Sequence, residues 1–181
     1  MTSDSQLKIH ELADLNHSDD LNQLSDVLID CVEGGASVSF MQPMTREKAD
    51  TFWRNIEAGV IAGARILLVA RDETNQIVGT VQIVLSQPEN QPHRADIAKM
   101  LVHRKARRRG IAEALMRAIE TVARREGKTL LVLDTITAGD AERLYARLGW
   151  SQSGIIPDYA LFPGGGLAAT TVFYKKLESH A

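Results

Sequence analysis

The segment Met100–Met116, MLVHRKARRRGIAEALM, decides how the rest of the chain is read. It runs from an apolar stretch, Met100-Leu101-Val102, through Arg104–Arg109, where five of six residues are basic, to Gly110 and an apolar stripe at helical spacing, Ile111, Leu115, Ile119 and Val122. A basic cluster of this length is ordinarily a solvated surface patch. This one sits where a strand ends and a helix begins. A helix N-terminus there offers unpaired amide donors and the positive end of the helix dipole, a combination suited to phosphate. Gly110 lets a pyrophosphate approach those amides without meeting a side chain. No G-x-x-x-x-G-K-[ST] or G-x-G-x-x-G pattern occurs, so neither a Walker loop nor a dinucleotide fingerprint explains the cradle.

Working outward, Arg94–Val102 reads as the strand leading into the cradle and 110–126 as the helix leaving it, closed by Gly127. Upstream, Leu7–Leu12 is a short strand; Leu21, Leu24, Leu28 and Val32 mark a first helix, stopped at Gly34-Gly35; Ala49, Phe52, Trp53, Ile56 and Val60 mark a second. Arg65–Arg71 and Gln76–Ser86 form a hairpin around the polar turn Asp72–Asn75. Downstream, Leu130–Asp134 reads as a strand buried on both faces, Asp140–Leu148 as a helix ended by Gly149, and Thr170–Leu177 as a last strand. The order predicts an antiparallel meander followed by a β-α-β unit with parallel strands.

The bulk properties bound the function. The chain has 181 residues, 44% hydrophobic and 24% charged, with 21 Lys plus Arg against 23 Asp plus Glu. That composition predicts a single globular domain over 1–181, large enough to bury a core without staples. A net charge of −2 offers no global attraction to nucleic acid or anionic lipid, so neither partner is expected. The polar N-terminus and the short aliphatic runs predict no export signal and no membrane span, and the lone Cys31 suits a reducing compartment; a cytoplasmic location is the expectation. His10, His17, His93, His103 and His180 form no ligand spacing, so no metal is expected, and His103 reads as a solvent-facing loop residue.

At this point the chain resembles a known family. Arg107-Arg108-Arg109-Gly110-Ile111-Ala112 is similar to the [QR]-x-x-G-x-[GA] signature of the GCN5-related N-acetyltransferases (GNAT), and Ala141–Trp150, AERLYARLGW, is similar to their A-x-x-L-Y-x-x-x-G-[FW] helix. Within that superfamily it most resembles the tabtoxin-resistance acetyltransferase type, through Gly34–Val38, Phe40-Met41, Asn90–Val102, Leu133–Thr135, Tyr145, Pro157 and Tyr159. The resemblance implies a mixed α/β (α+β) fold: a mostly antiparallel sheet of six to seven strands with a splayed parallel pair, flanked by about four helices. It departs from the common pattern at Arg108, where glycine is frequent, and at Ala138, where many members carry a cofactor-binding Asn.

The implied reaction moves an acetyl group from acetyl-coenzyme A directly to an amine of a small molecule, with a toxin or antibiotic as one acceptor class. The family places acetyl-coenzyme A against Met100, Leu101, Val102, Arg107, Arg108, Arg109, Gly110, Ile111 and Ala112. Backbone amides near Leu101 and Val102 would polarise the carbonyl, an effect worth roughly 2.7 to 4 kcal/mol per donor. Tyr145 would donate a proton to the leaving sulfur; without the resemblance it reads as a core tyrosine beside Leu144 and Leu148. An ammonium must lose its proton before attack, and Asp134 and Asp96 are the candidate bases, each otherwise a strand-end ion pair or turn acceptor. Asp134, at the end of an apolar strand, is expected to be partly desolvated. Gly34–Met41 and Pro157–Gly166 are candidate acceptor walls, with Ser37, Phe40 and Tyr159 facing substrate and Gly164–Gly166 a flexible connection. Direct transfer needs no thiol, and Cys31, Trp53 and Trp150 read as core residues. A nucleic-acid module using Arg104–Arg109, and a GNAT-like cofactor sensor or partner-binding module without turnover, are the rival readings; a monomer and a homodimer both stay open.

Overall fold

The computed structural model describes residues 7–15 and 19–178, so the calls on the N-terminal leader, His17 and His180 fall on residues outside the description. The elements run β1 (Lys8–Glu11), α1 (Asp20–Glu33), α2 (Arg46–Ile61), β2 (Arg65–Arg71), β3 (Ile77–Val84), β4 (Arg94–Val102), a 3-10 turn (Arg104–Ala106), α3 (Ile111–Arg125), β5 (Leu130–Ile136), α4 (Asp140–Arg147), β6 (Ser151–Leu161) and β7 (Leu167–Lys176). They build one seven-stranded sheet in the order β1-β2-β3-β4-β5-β7-β6. Every neighbouring pair is antiparallel except β4 and β5, which are parallel and joined through α3. The meander and β-α-β unit read from the sequence are both present.

Two apolar clusters cover the two faces of the sheet. On one, α3 turns Ile111, Leu115, Met116, Ile119, Val122 and Ala123 inward against Val78, Ile83, Ala95, Ile97, Leu131 and Leu133. Gly79 makes this approach possible, because a β-carbon there would sit 3.0 Å from the Leu101 carbonyl oxygen and 3.1 Å from the Leu115 side chain. The other face holds Leu24, Leu28, Val32, Ala49, Trp53 and Ile56 of α1 and α2 over Leu67, Val69 and Leu101. Trp53 and Trp150 are core residues as expected, the Trp150 indole donating to the buried Glu120, which also pairs with Lys175 at 2.8 Å.

Two features position the site. The β4–β5 pairing covers only Arg94–Asp96 against Leu130–Val132, so from Ile97 onward the two strands part and leave an opening between them. In the same stretch β4 carries an extra residue. Thr80 faces Leu101 and Gln82 faces Ala98, so three β4 steps oppose two on β3, a bulge centred on Lys99, whose φ is +50°.

Three expectations are corrected. Leu130–Asp134 is not buried on both faces: Leu131 and Leu133 are buried, their neighbours are half-buried and Asp134 is exposed, because β5 loses its β4 partner there. Ser151–Leu161, read in part as a loop wall, is an edge strand. Its side chains are exposed on both faces, so it carries no apolar alternation to read, and Pro157 lies inside a register shift between Ile156 and Ala160, where a missing amide is tolerated. Gly164–Gly166 belongs to a hairpin turn, not a flexible connection: Phe162 donates to the Gly166 carbonyl and Gly165 to that of Phe162, both at 2.9 Å, and the last strand accordingly starts at Leu167.

Candidate active site

A cleft of about 1070 Å³ follows the opening between β4 and β5, at the upper end of the range of roughly 300–1,000 Å³ for small-molecule sites. Of the residues assigned to catalysis, cofactor or substrate, all but Asp96 and Arg109 line it; of the Pro157–Gly166 wall only Tyr159, Ala160 and Leu161 do.

At one end the loop from β4 to α3 makes the cradle. Gly110 is the N-cap of α3 with φ +77°, nothing lies within 4 Å of where its β-carbon would be, and no side chain caps the helix, so its first amides are left without a side-chain acceptor. The loop is latched by two arginines. The Arg107 Nε donates to the Val102 carbonyl at 3.1 Å and its Nη2 reaches the Cys31 sulfur at 4.0 Å, so this guanidinium braces the loop against β4. Arg104 donates through its amide and Nε to Asp30 at the end of α1, and its stem crosses so close over Gly34 that a β-carbon there would lie 2.8 Å from Cδ. Burial opposes ionisation of Asp30, but the Arg104 hydrogen bonds and the His103 charge hold its carboxyl below the usual range. Arg109 points elsewhere, to Glu73 at 3.4 Å. Arg108 lines the cleft with φ +61°, which explains why glycine suits that position: a side chain must adopt the left-handed region. Ala138, where the family often has Asn, is also left-handed at φ +63°.

Tyr145 lies between the two ends. It is only 5% exposed, tilted against Trp150 and Phe173 with ring centres 6.0 Å away, and it lines the cleft. Burial, and then the charge of Asp134, push its hydroxyl well above the ordinary tyrosine range. A phenol so placed keeps its proton through neutral pH. Cys31 is buried with its thiol pushed up by burial, which outweighs Arg107, and it donates to the Val102 carbonyl at 3.5 Å.

Four separate segments supply the other end: Ser37, Phe40 and Met41 from the α1–α2 loop, Lys99 from the β4 bulge, Asp134 and Thr135 from β5, and Tyr159 and Leu161 from β6, closed by Thr170 of β7. Ser37 donates to the Leu161 carbonyl at 3.3 Å and the Gln42 amide to the Pro163 carbonyl at 2.9 Å, tying the α1–α2 loop to the β6–β7 hairpin. Phe40 stacks edge-on to Phe52 at 5.2 Å, while Tyr159 is exposed. Asp134 is exposed rather than desolvated and accepts from the Thr170 hydroxyl at 3.0 Å. Asp96 is not brought to it; Arg94 pairs with Asp96 and the Gln87 side-chain amide donates to it at 3.0 Å, outside the cleft. His103, expected to face solvent, is mostly buried, accepting from the Lys105 amide with Nδ1 3.4 Å from Asp30. Lys99 and Thr170 went unnoticed in the sequence; the one signal for Lys99 was a cation inside the otherwise apolar run Ile97–Val102.

Comparison with known proteins fits this geometry. The profile of the acetyltransferase (GNAT) family matches residues 28–150, which include both the cradle and Tyr145. The chain belongs to the GNAT acetyltransferase family. An uncharacterised N-acetyltransferase from the hisH–hisA intergenic region of Azospirillum brasilense is 32% identical over 126 residues, 68% of this chain and 73% of that one. Among solved structures, an Acinetobacter baylyi protein assigned as an acetyltransferase superposes with a TM-score of 0.80 at 15% identity, covering 96% of this chain and 94% of its own. A Salmonella typhimurium protein, likewise so assigned and solved with its cofactor acetyl-CoA, gives 0.77 at 18% identity, covering 98% and 97%. These two likenesses are of fold. The GNAT sheet with its parted β4–β5 pair and four helices is therefore the architecture of this chain. Among the described residues no group of three His, Cys, Asp or Glu could hold a metal, and no helix is long and apolar enough to cross a membrane.

Proposed function

We propose that this GNAT protein transfers an acetyl group from acetyl-CoA to the amine of a small molecule by direct attack, amine-bearing toxins and antibiotics being one acceptor class to test. The observation that carries the reading is the continuity of one cleft from the Gly110 cradle past Tyr145 to Asp134. The residues fit the cofactor: an open helix N-terminus with a left-handed glycine suits a pyrophosphate, and the parted strand edge beyond Ile97 suits an extended chain. Acetyl-CoA, when bound, supplies the activated acetyl group and a phosphate handle far from it.

The protein's own groups then divide the work. Amides at Gly110, Ile111 and Ala112, with Arg108, hold the pyrophosphate, while Arg107 keeps the loop in place. The backbone amides of Met100 and Val102, which alternate away from β3 and have no β5 partner, are available to the acetyl carbonyl oxygen, while the amide of Leu101 between them is turned to Thr80 of β3. Asp134, directly or through water, takes the proton from the acceptor ammonium, and Tyr145 Oη gives one to the departing sulfur. Asp134 is preferred to Asp96 as base because only Asp134 lines the cleft. The test is coenzyme A thiol release over a panel of primary amines, with thermal stabilisation by acetyl-CoA measured alongside. Stabilisation and amine-dependent release are expected. Stabilisation with no release on any amine would support a cofactor sensor instead, and salt-dependent nucleic-acid binding without stabilisation would support the nucleic-acid module.

A further inference from the structure

Lys99 lines the cleft, and the mechanism above has no use for its charge. It occupies the bulge of β4 in a left-handed conformation, φ +50°, and lines the end of the cleft formed by the α1–α2 loop. A left-handed conformation is disfavoured for a side-chain-bearing residue, so the fold sets the backbone of Lys99 against its own preference. Of its three donors, one goes to the Ser39 hydroxyl at 3.0 Å. Among the described residues no carboxylate comes within ion-pair distance of it. Burial lowers its pKa, the more distant charge of Asp134 works the other way, and Arg65 adds a second cation to the neighbourhood. A half-buried ammonium without an ion-pair partner has donors left to offer a ligand.

Asp134 stands on β5 across the opening and lines the same cleft, its carboxylate accepting from the Thr170 hydroxyl at 3.0 Å. One charge of each sign thus flanks the place where the strands part. The molecule complementary to that pair has an ammonium for Asp134 and an anion for Lys99. Resting on the acetyl-transfer reading, we propose that Lys99 binds a carboxylate of the acceptor, so that the substrate is an amine carrying a carboxylate next to its reacting nitrogen.

The experiment uses the full chain saturated with coenzyme A, and as probes the L-α-amino acids together with the matching amino-acid amides, which keep the amine and side chain and lose only the anion. Binding is read by calorimetry and turnover by thiol release from acetyl-CoA. For the members that bind, the acid is expected to be preferred over its amide by about tenfold or more, the order of a charge-assisted hydrogen bond. Lys99→Met collapses that ratio towards one, and Lys99→Arg, which keeps the charge, retains it. A ratio near one or reversed in the unaltered protein, a ratio untouched by Lys99→Met, or binding of no probe overturns the proposal. Failure of the acetyl-transfer reading looks different: probes bind with the acid preference intact but release no thiol.

Discussion

The two ends of the cleft are built in opposite ways. The cofactor end comes from a single continuous stretch, Met100–Ala112, in which a strand edge, a basic loop and a helix N-terminus follow one another along the chain. The acceptor end is assembled from separate segments reaching from Ser37 to Thr170, brought together by sheet order and by two hydrogen bonds between the α1–α2 loop and the β6–β7 hairpin. The first is local chemistry that the backbone enforces; the second is topology. A local site tolerates change elsewhere, whereas an assembled one can be reshaped by any of its contributors.

If that division is right, variants should separate by end. The largest effect belongs to Tyr145, where the ends meet. Tyr145→Phe, which keeps the buried ring, should lower kcat by about 10²–10⁴-fold with little change in acetyl-CoA affinity, measured by thiol release and calorimetry. Because burial and Asp134 raise its pKa, the unaltered enzyme should show no loss of kcat from this group below a pH of about 10. An alkaline limb near pH 8 that Tyr145→Phe abolishes would contradict this assignment.

Next is Asp134→Asn, expected to cost about 10²-fold in kcat/KM for the amine at neutral pH and to recover as pH rises and the amine deprotonates unaided. Acetyl-CoA binding should be unmoved; a matched loss at both ends would break the comparison. Gly110→Ala should do the reverse. Forcing a β-carbon into φ +77° costs about 1–2 kcal/mol, a drop in Tm of several degrees, and acetyl-CoA affinity should fall while the amine KM holds. The smallest change is Ala138→Asn. Asparagine tolerates the left-handed region better than alanine, so the variant should be more stable by about 0.5 kcal/mol in a denaturant melt, and any gain in acetyl-CoA affinity would assign the added amide to the cofactor end.

The same division explains what could be read from the residues alone. Arg65–Arg71 and Arg94–Val102 appear as strands with the bounds their patterns suggested, because each has side chains in the apolar cluster on both faces of the sheet. The cradle was legible because its charge cluster, glycine and apolar stripe are contiguous. Ser151–Leu161 was not: an edge strand exposed on both faces obeys no alternation, and only its pairing with β7 makes it a strand. Asp134 was read as partly desolvated because four apolar residues precede it; its exposure depends on where β4 stops pairing, a fact held in another strand. Asp96 and Arg109 carried the right chemistry at adjacent positions, but Arg94 with Gln87, and Glu73, claim their side chains. Lys99 needed the bulge to become visible.

The proline inside β6 has a consequence for how the molecule behaves in a crowd of its own copies. At the outer margin of the sheet, β6 presents Ile155, Ile156, Tyr159 and Leu161 to solvent beside a row of backbone groups with no neighbouring strand among the described residues, a combination that invites strand-by-strand accretion. Pro157 removes one amide from the middle of that row, and the register shift from Ile156 to Ala160 bends what remains. The margin is thereby cut into two short templates, neither long enough to seed an extended ladder.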